Sequence, residues 1–349
     1  MWPSCLGKAS KVQGKANIAQ TAMAYCNNFQ DLLDEDFPQV AKVEADESDF
    51  DFHPYLIGQG ASYQVYAAKF KKWDYVVAVK YARVVLRPKS EYDSHSDDPL
   101  QDKQKLAAIL QEIYSICWFN EHPNIISLLG WSYELSDGGL TAHLVTEYSR
   151  HGDLRKFLKT QSLPDMESLR KICVDIATGL SVLHEHGVVQ GDLKLDNILV
   201  FDDANGSVIA KINDFGFAII LAPMEKRPRY QGTKMYNAPE VASQHFKAIP
   251  HAELPACDIY SFGLLVWEVF NQGDSYHSCC FPVTAEVVPE EGFVEKLELS
   301  LAYADSQTED QWRSLLTAVF EATLHTEPSR RCNAQEVRCL LDGGCQGRR

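Results

Sequence analysis

The chain has 349 residues, 45% of them apolar and 11% aromatic, which describes a core-forming globular chain and excludes a disordered one. Its 48 Asp+Glu against 33 Lys+Arg give a formal charge of −15. That balance argues against nucleic acid and anionic membrane as partners, because both need a basic footprint, and it leaves basic peptides and metal-bound anions open. No apolar run reaches the roughly 18 residues of a membrane span; the best stretch, Ile259 to Phe270, is interrupted by Ser261 and Glu268.

From the start, residues 1–30 carry three Lys and neither acid nor Arg, so they lack the layout of a secretory signal and the Arg of a transit peptide. Trp2 stands where N-myristoylation needs Gly. Residues 31–51 hold nine acids against Lys42 alone, a solvated lead-in that ends near His53-Pro54. Residues 1–52 therefore read as a flexible extension. Tyr63 to Ala68 and Tyr75 to Lys80 have the β-branched and aromatic content of strands. An acidic stretch at 91–102 reads as a surface loop. Leu106, Ile109, Leu110, Ile113 and Cys117 then follow at helical spacing.

Beyond about residue 150 the pattern turns helical. Leu169, Ile172, Cys173, Ile176, Ala177, Leu180 and Leu183 form one apolar stripe; Ile259, Phe262, Gly263, Val266, Val269 and Phe270 form another; Trp312, Leu315, Leu316, Val319 and Phe320 begin a third. A β-rich first part joined to a helical second part predicts two lobes with a cleft between them. Ten cysteines are scattered without a C-x-x-C pair, which reads as reduced core thiols in an intracellular, cytoplasmic protein. Cys279 and Cys280 fall in a predicted loop.

Three motifs carry chemistry. Ile57-Gly58-Gln-Gly60-Ala-Ser-Tyr63-Gln-Val65 sets two glycines between strands, where backbone N–H groups can approach an anion, although a plain hairpin turn has the same composition. Twenty residues after Gly60, Lys80 closes the strand Val77-Ala78-Val79 and can pair with phosphate as a point charge. Gln190-Gly191-Asp192-Leu193-Lys194-Leu-Asp-Asn197 packs an acid, a base and an amide into one polar loop between apolar elements. Asp214-Phe215-Gly216 puts a carboxylate at a strand end, suited to a hard cation such as Mg²⁺ shared with phosphates.

In this order and spacing the motifs resemble the eukaryotic protein kinase family of the serine/threonine type, over residues 53–341. Gly58, Gly60 and Val65 match its glycine-rich loop, Lys80 its VAIK lysine, Asp192 to Asn197 its catalytic loop, Asp214-Phe215-Gly216 its DFG, and Ala238-Pro239-Glu240 its APE. His122-Pro-Asn-Ile, Asp258-Ile-Tyr-Ser-Phe-Gly263 and Arg331 are similar to further family marks, and the Ala238-Pro239-Glu240, Asp258–Gly263 and Arg331 marks argue against phosphoryl transfer to a small molecule. The resemblance implies an α+β bilobal fold, with a small β-rich N-lobe carrying helix αC (53–148), a larger helical C-lobe (149–341), and a tail at 342–349.

It also implies ATP and Mg²⁺ as cofactors and a protein with a Ser/Thr acceptor as substrate. Ile57, Gly58, Gly60, Val65, Ala78 and Leu199 would line the nucleotide, Thr146 would be the gatekeeper, and Glu147 to Ser149 would meet the adenine. Lys80, held by Glu112, would orient the α- and β-phosphates. Asn197 and Asp214 would hold the metal, Asp192 would position the acceptor hydroxyl, and Lys194 would steady the γ-phosphate.

The sequence departs from the family at three places. Tyr63 replaces the third glycine of the loop and Ser62 the aromatic before it, which predicts weakened or differently gated ATP binding. Gln190-Gly191 replaces His-Arg, so the link to Phe215 is altered and the Arg that receives an activation-loop phosphate is missing. The segment Asp214 to Glu240 has no Ser, and its only hydroxyls are Tyr230, Thr233 and Tyr236; its bases are Lys226, Arg227, Arg229 and Lys234. Both absences predict a kinase not switched by phosphorylation of that segment. The alternative is a pseudokinase that binds nucleotide or acts as a scaffold. The acidic insert at 91–102 is either a plain surface insertion or a docking surface for a basic partner.

Overall fold

The computed structural model describes residues 50–59, 63–71, 74–85, 109, 112–113, 115–136, 139–160, 165–221, 230–242, 249–280, 297 and 309–343. Residues 1–49, Gly60 and Ser62, Leu106 and Leu110, the insert at 91–102, the bases Lys226, Arg227 and Arg229, and residues 344–349 lie outside the described residues. Two compact units emerge. One gathers the described residues up to Glu121 with Ile126–Tyr148; the other joins His122–Ile125 to the described residues from Ser149 onward.

In the first unit, β1 (Phe50–Gln59), β2 (Tyr63–Phe70), β3 (Tyr75–Val85), β4 (Leu128–Ser136) and β5 (Gly139–Glu147) form an antiparallel sheet in the order β1-β2-β3-β5-β4. The period-2 alternation of a strand sorts its residues onto two faces. Ala68, Phe70, Val77, Val79 and Val145 share one face and form an apolar cluster with Tyr81 and Leu129. The opposite face carries Val65 across from Lys80 and Ala78 across from Thr146. Residues 112, 113 and 115–118 are helical, with Ile113 and Ile116 fully buried.

The second unit is mostly helical. It contains α1 (Leu154–Thr160), α2 (Met166–Glu185), β6 (Val188–Val189), β7 (Ile198–Asp202), β8 (Val208–Ile212), β9 (Ile219–Ile220), α3 (Pro239–Ala242), α4 (Leu254–Phe270), α5 (Tyr276–Cys280), α6 (Glu309–Thr323) and α7 (Ala334–Leu341). Short ladders pair β6 with β9 and β7 with β8. Asp165 caps α2 by accepting the Ser168 N–H at 2.7 Å, and the helix buries every member of its predicted stripe. Gly179 lets α2 approach the chain at Asn124, where a Cβ would meet the Asn124 carbonyl oxygen at 2.7 Å.

The helix α4 differs from its sequence pattern. A single apolar stripe predicts a half-exposed helix, yet residues 257–270 are buried on every side. Its polar residues are accommodated by bonds: the Ser261 hydroxyl donates to the Tyr236 carbonyl at 2.8 Å, and Glu268 takes Arg155 and Tyr236. Cys279 and Cys280, predicted in a loop, instead close α5. The described cysteines Cys117, Cys173, Cys257, Cys332 and Cys339 are free thiols. Burial pushes Cys117 and Cys332 up to about 12, so neither is a thiolate at neutral pH. No helix among the described residues is long and apolar enough to cross a membrane.

Candidate functional site

Of the predicted nucleotide residues of the first unit, Gly58, Val65, Ala78, Lys80 and Thr146 fall on one sheet face. Gly58 pairs with Val65, Val65 with Lys80, and Ala78 with Thr146. A Cβ on Gly58 would rest 3.5 Å from the Val65 side chain, so that position has room; Ile57 beside it is exposed. The Lys80 ammonium donates to both Glu112 oxygens, at 2.6 and 2.7 Å. The pair is well enclosed, its side chains 14% and 8% exposed. The sequence spacing that joined a strand lysine to a helix glutamate 32 positions away is therefore a real contact.

The structure adds a neighbour that spacing does not disclose. Tyr63 pairs with Ala82, two residues beyond Lys80 on the same face, so their side chains are diagonal neighbours. The Tyr63 ring lies over the Lys80 ammonium, 4.0 Å from Nζ to the ring centroid. At the end of β5, Glu147 turns away: its carboxylate accepts the Ser127 N–H at 2.8 Å.

In the second unit, Ser149 is buried and its hydroxyl donates to the carbonyls of Gly152 and Val200. Leu199 is half-buried on β7 opposite Lys211. The catalytic loop is built around one carboxylate. Asp192 Oδ2 accepts Lys194 Nζ at 2.6 Å and Asn197 Nδ2 at 2.9 Å. Its Oδ1 accepts the Thr233 N–H at 2.7 Å and the Thr233 hydroxyl at 2.6 Å. Lys194 also reaches Thr233 Oγ1 at 2.7 Å. Four donors on one buried carboxylate fix its direction.

Asn197 spends its amide N–H groups on the Asp192 carboxylate and backbone carbonyl, which leaves Oδ1 as its oxygen for a cation. The Asn213 N–H donates to the Asn197 carbonyl at 2.8 Å and ties this loop to the strand end that carries Asp214. Asp214 has φ +60, a left-handed backbone uncommon outside glycine. Two hard oxygen donors suit Mg²⁺, which takes one or two protein ligands and completes its shell with phosphate and water. Among the described residues no cluster of three or more His, Cys, Asp or Glu could hold a metal alone.

Behind the loop, the fully buried Asp258 accepts the Gln190 N–H at 2.7 Å, the Gly191 N–H at 3.0 Å and the Tyr230 hydroxyl at 2.9 Å, and pairs with His184 Nε2 at 2.9 Å. Burial beside this carboxylate pushes the Tyr230 hydroxyl well above its ordinary pKa. Glu268 accepts Arg155 at 3.0 Å and the Tyr236 hydroxyl at 2.6 Å, and burial raises its carboxyl against the pull of Arg155. Arg331 forms a bidentate pair with Glu240 at 2.7 and 2.8 Å. The side-chain partners Tyr230 of Asp258 and Arg155 of Glu268 have no sequence signature, because they lie 28 and 113 positions away.

Comparison with known proteins identifies the family of the chain. The protein kinase domain matches residues 54–339. The probable serine/threonine-protein kinase pats1 of Dictyostelium discoideum is 28% identical over 241 residues, 66% of this chain and 7% of that protein. The serine/threonine-protein kinase shk1/pak1 of Schizosaccharomyces pombe is 31% identical over 224 residues, 63% of this chain and 29% of that protein. The receptor protein-tyrosine kinase CEPR1 of Arabidopsis thaliana is 29% identical over 306 residues, 84% of this chain and 29% of that protein. The chain thus spans under a third of the length of each of these relatives. A domain match that takes in the Lys80–Glu112 pair, the Asp192 loop and Asp214 leaves one assignment: the chain belongs to the protein kinase family.

Proposed function

We propose that the chain is an active kinase, dependent on ATP and Mg²⁺, that phosphorylates Ser/Thr hydroxyls of protein substrates through a catalytic domain at residues 53–341. The observation that carries this reading is the Asp192 carboxylate, held by Lys194, Asn197 and Thr233 at 2.6–2.9 Å. An aspartate so held is preorganised to orient an acceptor hydroxyl and take up its proton, with Lys194 beside it to stabilise charge on the phosphoryl group. Lys80, fixed by Glu112, serves the α- and β-phosphates, with Gly58, Val65, Ala78, Thr146 and Leu199 around the nucleotide. The Asn197 and Asp214 oxygens would hold Mg²⁺, which neutralises phosphate charge when bound.

Lys194 and Thr233 favour Ser/Thr as the acceptor; the tyrosine kinase among the relatives makes the acceptor an explicit question for the assay. The segment Asp214 to Glu240 offers no free acceptor for an activating phosphate. Its three hydroxyls are committed: Tyr230 to Asp258, Thr233 to Asp192 and Tyr236 to Glu268. We take the domain to be active without modification there, so phosphatase treatment should leave its rate unchanged.

A second reading, a nucleotide-binding or scaffolding pseudokinase, draws on the Tyr63 ring over Lys80. The deciding experiment is transfer from labelled ATP with Mg²⁺ to generic protein substrates, beside Asp192→Asn and with phosphoamino-acid analysis. Signal on Ser/Thr that Asp192→Asn abolishes supports the kinase. Equal signal from both proteins removes the catalytic assignment. Silence from both, with nucleotide still bound, gives the pseudokinase.

A further inference from the structure

Gln190 stands where the family's pattern has histidine, and its buried amide is bonded at both its oxygen and its nitrogen. Its Oε1 accepts the Asp192 N–H at 2.7 Å, and its Nε2 donates to the Asp214 carbonyl at 3.0 Å. Its own backbone N–H is fixed by Asp258 at 2.7 Å. One side chain thus links the loop of the acceptor-orienting carboxylate to the residue assigned to the metal. Asp214 needs such a tether, because its left-handed backbone costs on the order of 1–3 kcal/mol and persists only where its surroundings over-determine it.

We propose that Gln190 is a positioning residue for phosphoryl transfer, an uncharged brace that sets Asp192 against Asp214 in the same way at every pH. This rests on the kinase reading above. An amide carries a donor and an acceptor whatever the pH. A neutral imidazole could also donate from one nitrogen and accept at the other, but on protonation both become donors and the Asp192 N–H loses its acceptor. The ionisable groups of the surrounding cluster are Asp192 and Lys194 in the loop, Asp214 beyond β8, and Asp258 on α4 with His184 and Tyr230.

The test compares the full chain with Gln190→Met and Gln190→His. Gln190→Met keeps the length and removes both bonds; kcat should fall about 10- to 100-fold while the KM for ATP stays within about threefold. Gln190→His should recover most of that loss at pH 8 and then lose activity as pH falls through about 6.5 or below, a limb additional to those of the wild type. Thermal unfolding of all three separates a folding defect from a positioning one. If Gln190→Met keeps kcat within twofold, or the pH profile of Gln190→His superimposes on that of the wild type, the brace is refuted. A wild type that binds nucleotide but transfers nothing would refute the kinase reading alone. The brace would then be read by calorimetry, where the Mg²⁺ dependence of ATP affinity should weaken about tenfold in Gln190→Met, and an unchanged dependence would overturn it. A wild type that binds no nucleotide overturns both.

Discussion

Replacing Tyr63 should tighten ATP binding, and the size of the effect follows from the geometry at Lys80. The ammonium gives two of its N–H groups to Glu112, at 2.6 and 2.7 Å, and the Tyr63 ring lies 4.0 Å from it. A phosphate oxygen that approaches the ammonium from the side the ring covers has to displace the ring. Cation–π contacts are worth about 0.5–1 kcal/mol when exposed and about 2 when desolvated. The Lys80 side chain is only 14% exposed, which points to the upper part of that range, about 1–2 kcal/mol. Removing the competitor should therefore strengthen ATP affinity about 5- to 30-fold. Tyr63→Leu deletes the π-face and keeps a Cβ, Tyr63→Phe keeps the face, and Tyr63→Gly restores the family's residue. Calorimetric titration with Mg²⁺ and a non-hydrolysable ATP analogue should rank Leu and Gly tighter than wild type and Phe near it. An affinity for Tyr63→Leu within twofold of wild type would refute competition by the ring.

Two other perturbations probe the frame. Gly191→Ala should destabilise by at least about 1–3 kcal/mol, because Gly191 has φ +81 and a Cβ there would lie 2.2 Å from the Phe217 carbonyl oxygen; chemical denaturation measures it, and an unchanged midpoint contradicts the geometry. Burial holds the His143 ring down at about 4 against an ordinary 6.5, so between those values the unfolded chain binds the proton that the folded chain refuses; stability should fall as pH drops from about 6.5 toward 4, by at most about 3 kcal/mol, and His143→Gln should flatten that slope in acid-denaturation curves.

Much of the fold was legible because its signals are local. The strand composition of Tyr63 to Ala68 and Tyr75 to Lys80 marks β2 and β3, and the stripe from Leu169 to Leu183 is the buried face of α2. The motif residues Asp192, Lys194 and Asn197 sit within six positions and could be read as one loop. What escaped was three-dimensional. The burial of α4 on every side depends on Arg155, Tyr236 and other groups that lie outside the helix, and its Ser261 and Glu268 read as interruptions until their partners are known. The cover on Lys80 follows from strand register, which sets Tyr63 diagonal to it, and pairing is not written in either strand alone.

The substitutions that read as losses in the catalytic loop are coupled to one another through Asp258. Without a side chain, Gly191 adopts its left-handed turn, and the turn brings two consecutive N–H groups, from Gln190 and Gly191, onto the two Asp258 oxygens. The Phe217 carbonyl fills the space where a Cβ would be, so an arginine here would have to displace the backbone that follows Asp214. Tyr230 then brings the far part of the same segment onto Asp258 with a hydroxyl instead of a phosphate. A hydroxyl suits that place, because the fully buried Asp258 oxygens accept hydrogen bonds there and the Tyr230 hydroxyl supplies a donor. The missing arginine and the committed Tyr230 therefore meet at one place: Gly191 and Tyr230 both bond the buried Asp258 carboxylate, and a side chain at position 191 would have no room beside the Phe217 carbonyl.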